Sequence, residues 1–455
     1  MTPPPALSAA AAQPGVDTDS KINRDLLAPM EGVSLGYFLL LGTALLTVTA
    51  AALTWIYQIY IGLGIAGYTH PLFWGVYIVT FVFWVGIAHA GTLISAILYL
   101  FRAKWRNAIN RSAEAMTVFA VLTAAQFLGI HVGRIWKSYF ILPYPNQRGL
   151  WVNFRSPLEW DTFAISTYAT TSIVFLFIGL IPDIAIARDR YAGWRKLLYT
   201  ALALGWQGTA RQWKAHSRSV LHLSGLATPL VLSVHSVVSF DFAMALVPGW
   251  HSTLFAPFFV NGAIFSGFAM VLVLILPMRY VFNWYGYITD RHLDAMAKLI
   301  LVTSLVLTYF YACEAFTSWY SADHYERASL FDRATKQYAW AFWLQYFCNS
   351  LAPLVFFWKK PRINTTWLYV ISILVLIGMW FERFNIIVLG LGFDFYPYTW
   401  GTYVPTVTDS TIIVGSFAWF FLLFLGFIRV MPSLSIVEVK ETLPHPFKHA
   451  HEGHH

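Results

Sequence analysis

Ten apolar stretches alternate with short polar segments along the chain, at roughly 36–58, 73–100, 113–133, 161–182, 220–246, 256–278, 297–319, 337–358, 365–390 and 410–430. A helix needs about 20 mainly apolar residues to cross hydrocarbon, so each stretch predicts one membrane span. Lipid offers no water to an open backbone, so the expected fold class is an all-α integral membrane protein of about ten transmembrane helices. The first 35 residues are rich in Pro and Ala and read as an irregular arm. They lack the basic region, apolar core and cleavage site of a signal peptide, so the N-terminus is expected to stay inside.

Composition agrees with the pattern. Of 455 residues, 58% are hydrophobic, 18% aromatic and only 11% charged, against about 25% charged in soluble proteins. That excludes a cytosolic enzyme, a nucleic-acid-binding domain and a disordered chain. The net charge of +8 reads as loop charge. An even number of spans puts both termini on one side. That side collects 22 of the 30 Lys and Arg residues, the other side collects 7, and Arg383 lies within a span. By the positive-inside rule both termini are cytoplasmic, in a bacterial inner membrane. The basic loop 188–219 alternates with Trp194, Leu197, Leu198, Leu202 and Trp206, which suits either a short headgroup-level helix or a solvated loop.

Ionisable residues at depth carry the functional information, because each costs about 2.5–3.5 kcal/mol at a helix centre on insertion scales. His131 and Arg134 end span 3, Asp161 opens span 4, and His235 and Asp241 lie toward the outer end of span 5. Arg134 follows His131 by three residues and is expected on the same helix face. His235 and Asp241 are six apart, about 120° round the helix, so they point in different directions. The aromatic loop 137–160 (Tyr139, Phe140, Tyr144, Trp151, Phe154, Trp160) is placed to roof a pocket.

Histidine and carboxylate together beneath an aromatic lid suit a quinol, whose oxidation releases two protons as two electrons leave. Histidine takes a hydroxyl proton and a carboxylate orients it and passes the proton outward. The competing explanation is that these groups only tie helices together. His89, Glu114 and His222 extend toward the cytoplasmic end as a proton path, or His89 is a satisfied core histidine. Glu314, Glu382 and Arg383 form either interhelical salt bridges or a second proton route.

Cys313 and Cys348 form no Cys-x-x-Cys pair, so no iron–sulfur cluster or c-type haem is expected on this chain. His222 and His235, thirteen apart, leave a haem b reading open, and an ion transporter is a further alternative. The last eleven residues hold five histidines, read as a tail rather than a metal site.

The motifs His89-Ala-Gly-Thr-Leu, the Arg102–Arg111 loop, His131-Val-Gly-Arg-Ile-Trp-Lys, Ser156-Pro-Leu-Glu-Trp-Asp161 and His235-Ser-Val-Val-Ser-Phe-Asp241 resemble the polysulfide-reductase-type (NrfD-like) quinone-reactive membrane subunits. The sequence is most similar to the larger quinol-binding (ActC-type) branch of alternative complex III, which shares its fold with a paralogous membrane subunit. The resemblance implies two four-helix bundles, spans 2–5 and 6–9, with two peripheral helices. It also implies a quinol or menaquinol substrate at His131 and Asp161, with His235 and Asp241 lining the site. The implied partners are an iron–sulfur subunit, multihaem cytochrome c subunits and the paralogous membrane subunit. A polysulfide-reductase-type anchor is the alternative within the family. The expected organisation is an arm at 1–35, the first helix at 36–70, bundles at 71–250 and 251–395, a last helix at 396–432 and a His-rich tail at 433–455.

Overall fold

The computed structural model describes residues 16–145, 148–149, 152–393 and 395–441. Among the described residues there are nine helices long and apolar enough to cross a membrane. In chain order the principal helices are α1 (Val16–Leu27), α2 (Leu35–Ile61), α3 (Val76–Leu100), α4 (Asn110–Val132), α5 (Pro157–Arg190), α6 (Gly193–Leu202), α7 (Ala210–Ala243), α8 (Phe255–Val281), α9 (Asp290–Tyr320), α10 (His324–Thr335), α11 (Ala339–Tyr346), α12 (Thr365–Gly392), α13 (Val407–Val430) and α14 (Ile436–Lys440). The expected eighth span is present in pieces. After α11 the chain makes a π-turn at Phe347–Leu351 and a 3-10 stretch at Ala352–Phe357. Pro353 lacks the amide that a regular α-helix would use there.

Polar residues at the membrane edges start the spans. Ser34 accepts a bond from the Tyr37 amide at 3.2 Å. Thr209 and Thr406 form capping boxes with Gln212 and Asp409, and Pro157 opens α5 at a position where its missing amide costs nothing.

Helices α3, α4, α5 and α7 pack as one four-helix bundle and α8, α9, α11 and α12 as a second, while α2 and α13 pair along the outside of α3 and α4. The bundles join through α3 and α8, the most enclosed spans. Small residues make close approach possible: a Cβ on Gly267 of α8 would collide with Ala90 of α3, and within the first bundle one on Gly91 would collide with Thr117 and the Ala113 carbonyl of α4.

The end of the bundles carrying α1 and α14, here the terminal face, is latched shut. The arm expected to be irregular contains α1, whose Ile22, Leu26 and Leu27 are buried. Trp284 and Tyr287 bond to Asp25, Arg190 to Glu31 at 2.5 Å, and Arg429 to the Pro29 and Gly32 carbonyls. Apolar side chains on one side of a 12-residue helix reward folding that the Pro-rich start conceals. From the other terminus, α14 sets Glu438 against Arg106 and Asn110 and joins Lys440 to Asp19. The histidines at 445–455 lie outside the described residues.

Within the basic loop, α6 leaves Trp194 and Leu197 exposed, as a headgroup-level helix would.

Candidate functional site

At the face opposite the termini, the distal face, three regions of the sequence converge. Asp161 sits in the second turn of α5 and Asp241 in the last turn of α7, on neighbouring antiparallel helices. Their carboxyls face each other closely enough to interact, Asp161 is buried, and neither of its oxygens bonds any other group among the described residues. A carboxyl–carboxyl contact is a hydrogen bond only when one partner carries a proton, so two acids placed in this way can hold and pass one. Two residues before Asp161, Glu159 is also buried, and neither of its oxygens has a protein partner among the described residues.

His131 lies in the last turn of α4, half-buried, with Nδ1 3.5 Å from the Tyr68 hydroxyl. No hydrogen bond or ion pair joins it to Asp161 among the described residues. Arg134 departs from expectation. The helix ends at Val132 and Gly133 turns with φ +75°, so Arg134 leaves the His131 face and is exposed. Only glycine suits that turn, because its φ is left-handed and a Cβ would press on Leu63. Beyond it Ile135–Ile141 forms a 3-10 stretch with Tyr139 and Phe140 exposed and their rings tilted 4.2 Å apart. Trp160 bonds back to the Phe154 carbonyl. Tyr144 sets its ring edge-on to Phe140 at 5.3 Å, and Trp151, also part of the expected lid, lies outside the described residues.

His235 also departs from expectation. It faces the core about 9 Å below Asp241 along the helix, fully buried, with its ring 4.8 Å from that of His89. The outer cluster is therefore His131, Asp161 and Asp241, and His235 belongs with His89. His222 is exposed on α7 and takes no place in the interior, so it shares no common face with His235.

His89 opens a buried polar chain that crosses the molecule. Its ring stacks on Tyr168 at 4.5 Å, and the Tyr168 hydroxyl meets Thr92 at 2.7 Å and the Ala88 carbonyl at 2.8 Å. Thr117 donates to the same carbonyl. One turn away on α4, Glu114 pairs with Arg111 at 2.9 Å, and Arg111 pairs with Asp183 at 3.0 Å. Asp183 in turn accepts the Val437 amide of α14, so this cluster ends at the terminal face.

In the other direction Phe259 separates His235 from Arg383, whose guanidinium lies 4.0 Å over its ring. Arg383 pairs with Glu382, which accepts the Tyr311 hydroxyl. Farther toward the distal face Arg333 pairs with Glu314 at 3.4 Å. A cavity of about 50 Å³ lined by Glu314, His251 and Ser252 has room for a few waters. A smaller one of about 20 Å³ lies between Glu314 and Gln345, Tyr346 and Asn385. His235, His89 Nε2 and Arg383 Nη1 lack protein partners among the described residues, as groups that bind internal water do.

Several residues of the distal site escaped the sequence reading: Glu159, Gln58, Tyr68, Tyr77, Tyr403 and Asp409. Gln58 is a polar residue inside an apolar span and is fully buried. Asp409 reads as an ordinary helix cap, yet it is also fully buried and gathers three donors on one oxygen.

Residues 64–393 match the family described as "Polysulphide reductase, NrfD", well over half of the chain. The chain belongs to this family. Among its relatives is a protein of Halobacterium salinarum provisionally named as a membrane subunit of dimethyl sulfoxide reductase, 24% identical over 91% of this chain and 95% of that one. The Hdr-like menaquinol oxidoreductase integral membrane subunit of Archaeoglobus fulgidus is 22% identical over 90% and 98%. A selenate reductase subunit of Mesobacillus selenatarsenatis is 22% identical over 47% and 50%. This chain is thus a multi-pass membrane subunit of an oxidoreductase complex, of a family whose members serve such complexes.

Proposed function

We propose that this NrfD-family subunit oxidises quinol, menaquinol by analogy with the Archaeoglobus relative's name, as the larger quinol-binding membrane subunit of an alternative complex III. The observation that carries the reading is the buried Asp161–Asp241 contact at the distal end of the first bundle, with His131 on the neighbouring helix. The 22-to-7 distribution of basic residues supports a periplasmic distal face, in a bacterial inner membrane.

Because no bond joins His131 to Asp161, the two groups serve the two hydroxyls of one quinol rather than forming a single relay. His131 takes one proton and the Asp161–Asp241 pair takes the other. Both protons leave to the periplasm, and two electrons pass from the quinol to an iron–sulfur subunit, leaving quinone. Multihaem c subunits and a paralogous membrane subunit complete the complex, and this chain carries neither haem nor cluster. The isoprenoid tail stays in lipid beneath the exposed Tyr139 and Phe140.

The test is quinol oxidation by the assembled complex carrying His131→Ala or Asp161→Asn. Each is expected to lose about a hundredfold or more, the range for removing a proton-transfer group. Wild-type rates and inhibitor binding in both variants would discard the site. Copurifying proteins decide the branch: multihaem c subunits support alternative complex III. A reductase partner of the kind two relatives' names give, for dimethyl sulfoxide or selenate, supports the anchor reading instead.

The polar chain favours a second role. From Glu114 through His89, His235, Arg383 and Glu382 to Glu314, ionisable groups step from the terminal face of one bundle to the distal face of the other. We infer that it conducts protons alongside quinol oxidation.

A further inference from the structure

The family match begins at residue 64 and ends at residue 393, so all of α2 and all of α13 fall outside it. These two helices nevertheless supply the wall against which His131 rests. Gln58, on α2, donates from Nε2 to the Ile130 carbonyl at 3.1 Å, gripping the turn of α4 that carries His131. Its Oε1 accepts the Tyr77 hydroxyl at 2.6 Å, which fixes the amide's orientation. A fully buried glutamine between two apolar spans is costly unless both ends are bonded, and both are.

Asp409, on α13, grips the other side. Its Oδ2 accepts the Gly67 amide at 2.9 Å, the Tyr403 hydroxyl at 2.9 Å and the Thr406 amide at 3.0 Å. Gly67 is the residue next to Tyr68, so Asp409 sets the loop from which Tyr68 reaches His131 Nδ1. The fit is close: a Cβ on Gly67 would collide with the Val404 carbonyl, and one on Gly75 would stand 2.6 Å from the Tyr403 ring. Tyr403 is itself clamped, since its amide and carbonyl both bond the Tyr338 hydroxyl, at 2.7 and 2.6 Å. The Tyr68 ring stands 6.0 Å from Tyr77, 6.2 Å from Tyr403 and 6.2 Å from His131, at the centre of this wall. Burial, reinforced by the Asp409 charge, pushes the Tyr68 and Tyr403 hydroxyls up, so both stay protonated and neutral.

We infer that Tyr68, Gln58 and Asp409 are positioning residues for His131, so that the two peripheral helices are part of the quinol site. The inference rests on the quinol reading proposed above. A histidine's free nitrogen is presented to substrate by whatever its other nitrogen bonds, and here that partner is Tyr68. Gln58 and Asp409 hold the two backbone segments whose separation sets that contact. A mutation far from the chemistry that misplaces a catalytic group by about 1 Å can cost about a hundredfold, so neither peripheral grip is idle.

The test uses the intact complex and compares Tyr68→Phe, Asp409→Leu and Asp409→Asn with wild type and His131→Ala. Tyr68→Phe keeps the ring and loses only the hydroxyl. It is expected to lower kcat about tenfold with KM within about twofold, and to displace the pH profile of kcat, since His131 then titrates without its partner. Asp409→Leu is expected to do the same. Asp409→Asn keeps an acceptor oxygen for the three donors and should restore at least half the wild-type rate. Complex assembly and thermal midpoint are followed in every variant. If Tyr68→Phe assembles normally with wild-type kcat and an unmoved pH profile while His131→Ala is inactive, this inference is wrong and the quinol site stands. If His131→Ala retains wild-type activity, both fall together.

Discussion

At the scale of single residues, the most consequential contact is between two acids. Asp161 and Asp241 lie on different helices and touch where water is scarce, so they are expected to behave as one group. Asparagine at either position keeps the shape and removes the exchangeable carboxyl proton. Each single variant should therefore lower quinol oxidation by about a hundredfold or more. The Asp161→Asn/Asp241→Asn double variant should cost little beyond the worse single, as residues acting as a unit are strongly non-additive. A double-mutant cycle on kcat/KM measures this, and simple additivity would show that the contact has no joint role. The sequence placed both acids at one depth, because topology and residue number suffice for that. It could not pair them, since which way Asp241 points depends on helix rotation. The 120° offset from His235 was legible, and it is why only one of the two joined the outer cluster. Asp409 stayed hidden for a different reason. An acid three residues after a threonine at a helix start is an ordinary capping pattern, and only packing shows that the cap is buried under another loop.

At the scale of elements, the long apolar spans were legible because lipid demands them, whereas the short helices depend on partners. The helix α1 pays for its order by docking on Trp284 and Tyr287, and no local signal announces those contacts. Its hold on the terminal face includes Glu31. The hydrogen bond from Arg190 keeps the Glu31 carboxyl below its ordinary range, despite some opposing desolvation. A depressed carboxyl stabilises the latch at pH values above its unfolded pKa. That stabilisation is lost as pH falls through the folded value, so it is complete at pH 7. Both side chains are more than a third exposed, so the pair is worth under about 1 kcal/mol and weakens with salt. Hydrogen exchange over residues 22–30 should therefore quicken in wild type below about pH 4, after correction for intrinsic rates. The Glu31→Gln variant should show the faster exchange already at pH 7. Identical protection in the two proteins at pH 7 would mean that the apolar face of α1 holds the arm without help from this pair.

At the scale of the whole molecule, the two bundles divide the work. The distal site is built on the first bundle and the peripheral helices, while the polar chain leaves the first bundle at His235 and ends in the second at Glu314. Glu382 is fully buried beside Arg383 and has no contact with the distal acids. Changing it should leave electron transfer intact and interrupt only proton movement through the second bundle. Removing one partner of a buried ion pair is costly, by about 3–5 kcal/mol, so Glu382→Gln is preferable to Ala because it keeps an acceptor for Tyr311. In proteoliposomes oxidising quinol, Glu382→Gln is expected to retain most of the electron flux while proton release falls toward the two per quinol that the chemistry itself supplies. Glu314→Gln should behave alike, because it occupies the next step toward the distal water cavity. Asp161→Asn should instead stop both fluxes together. If Glu382→Gln keeps the full wild-type proton-to-electron ratio, the second bundle conducts nothing and its buried charges serve only to join α9 to α12. If it stops electron flow in an assembled, stable complex, the two bundles do not act separately and the division of labour is wrong.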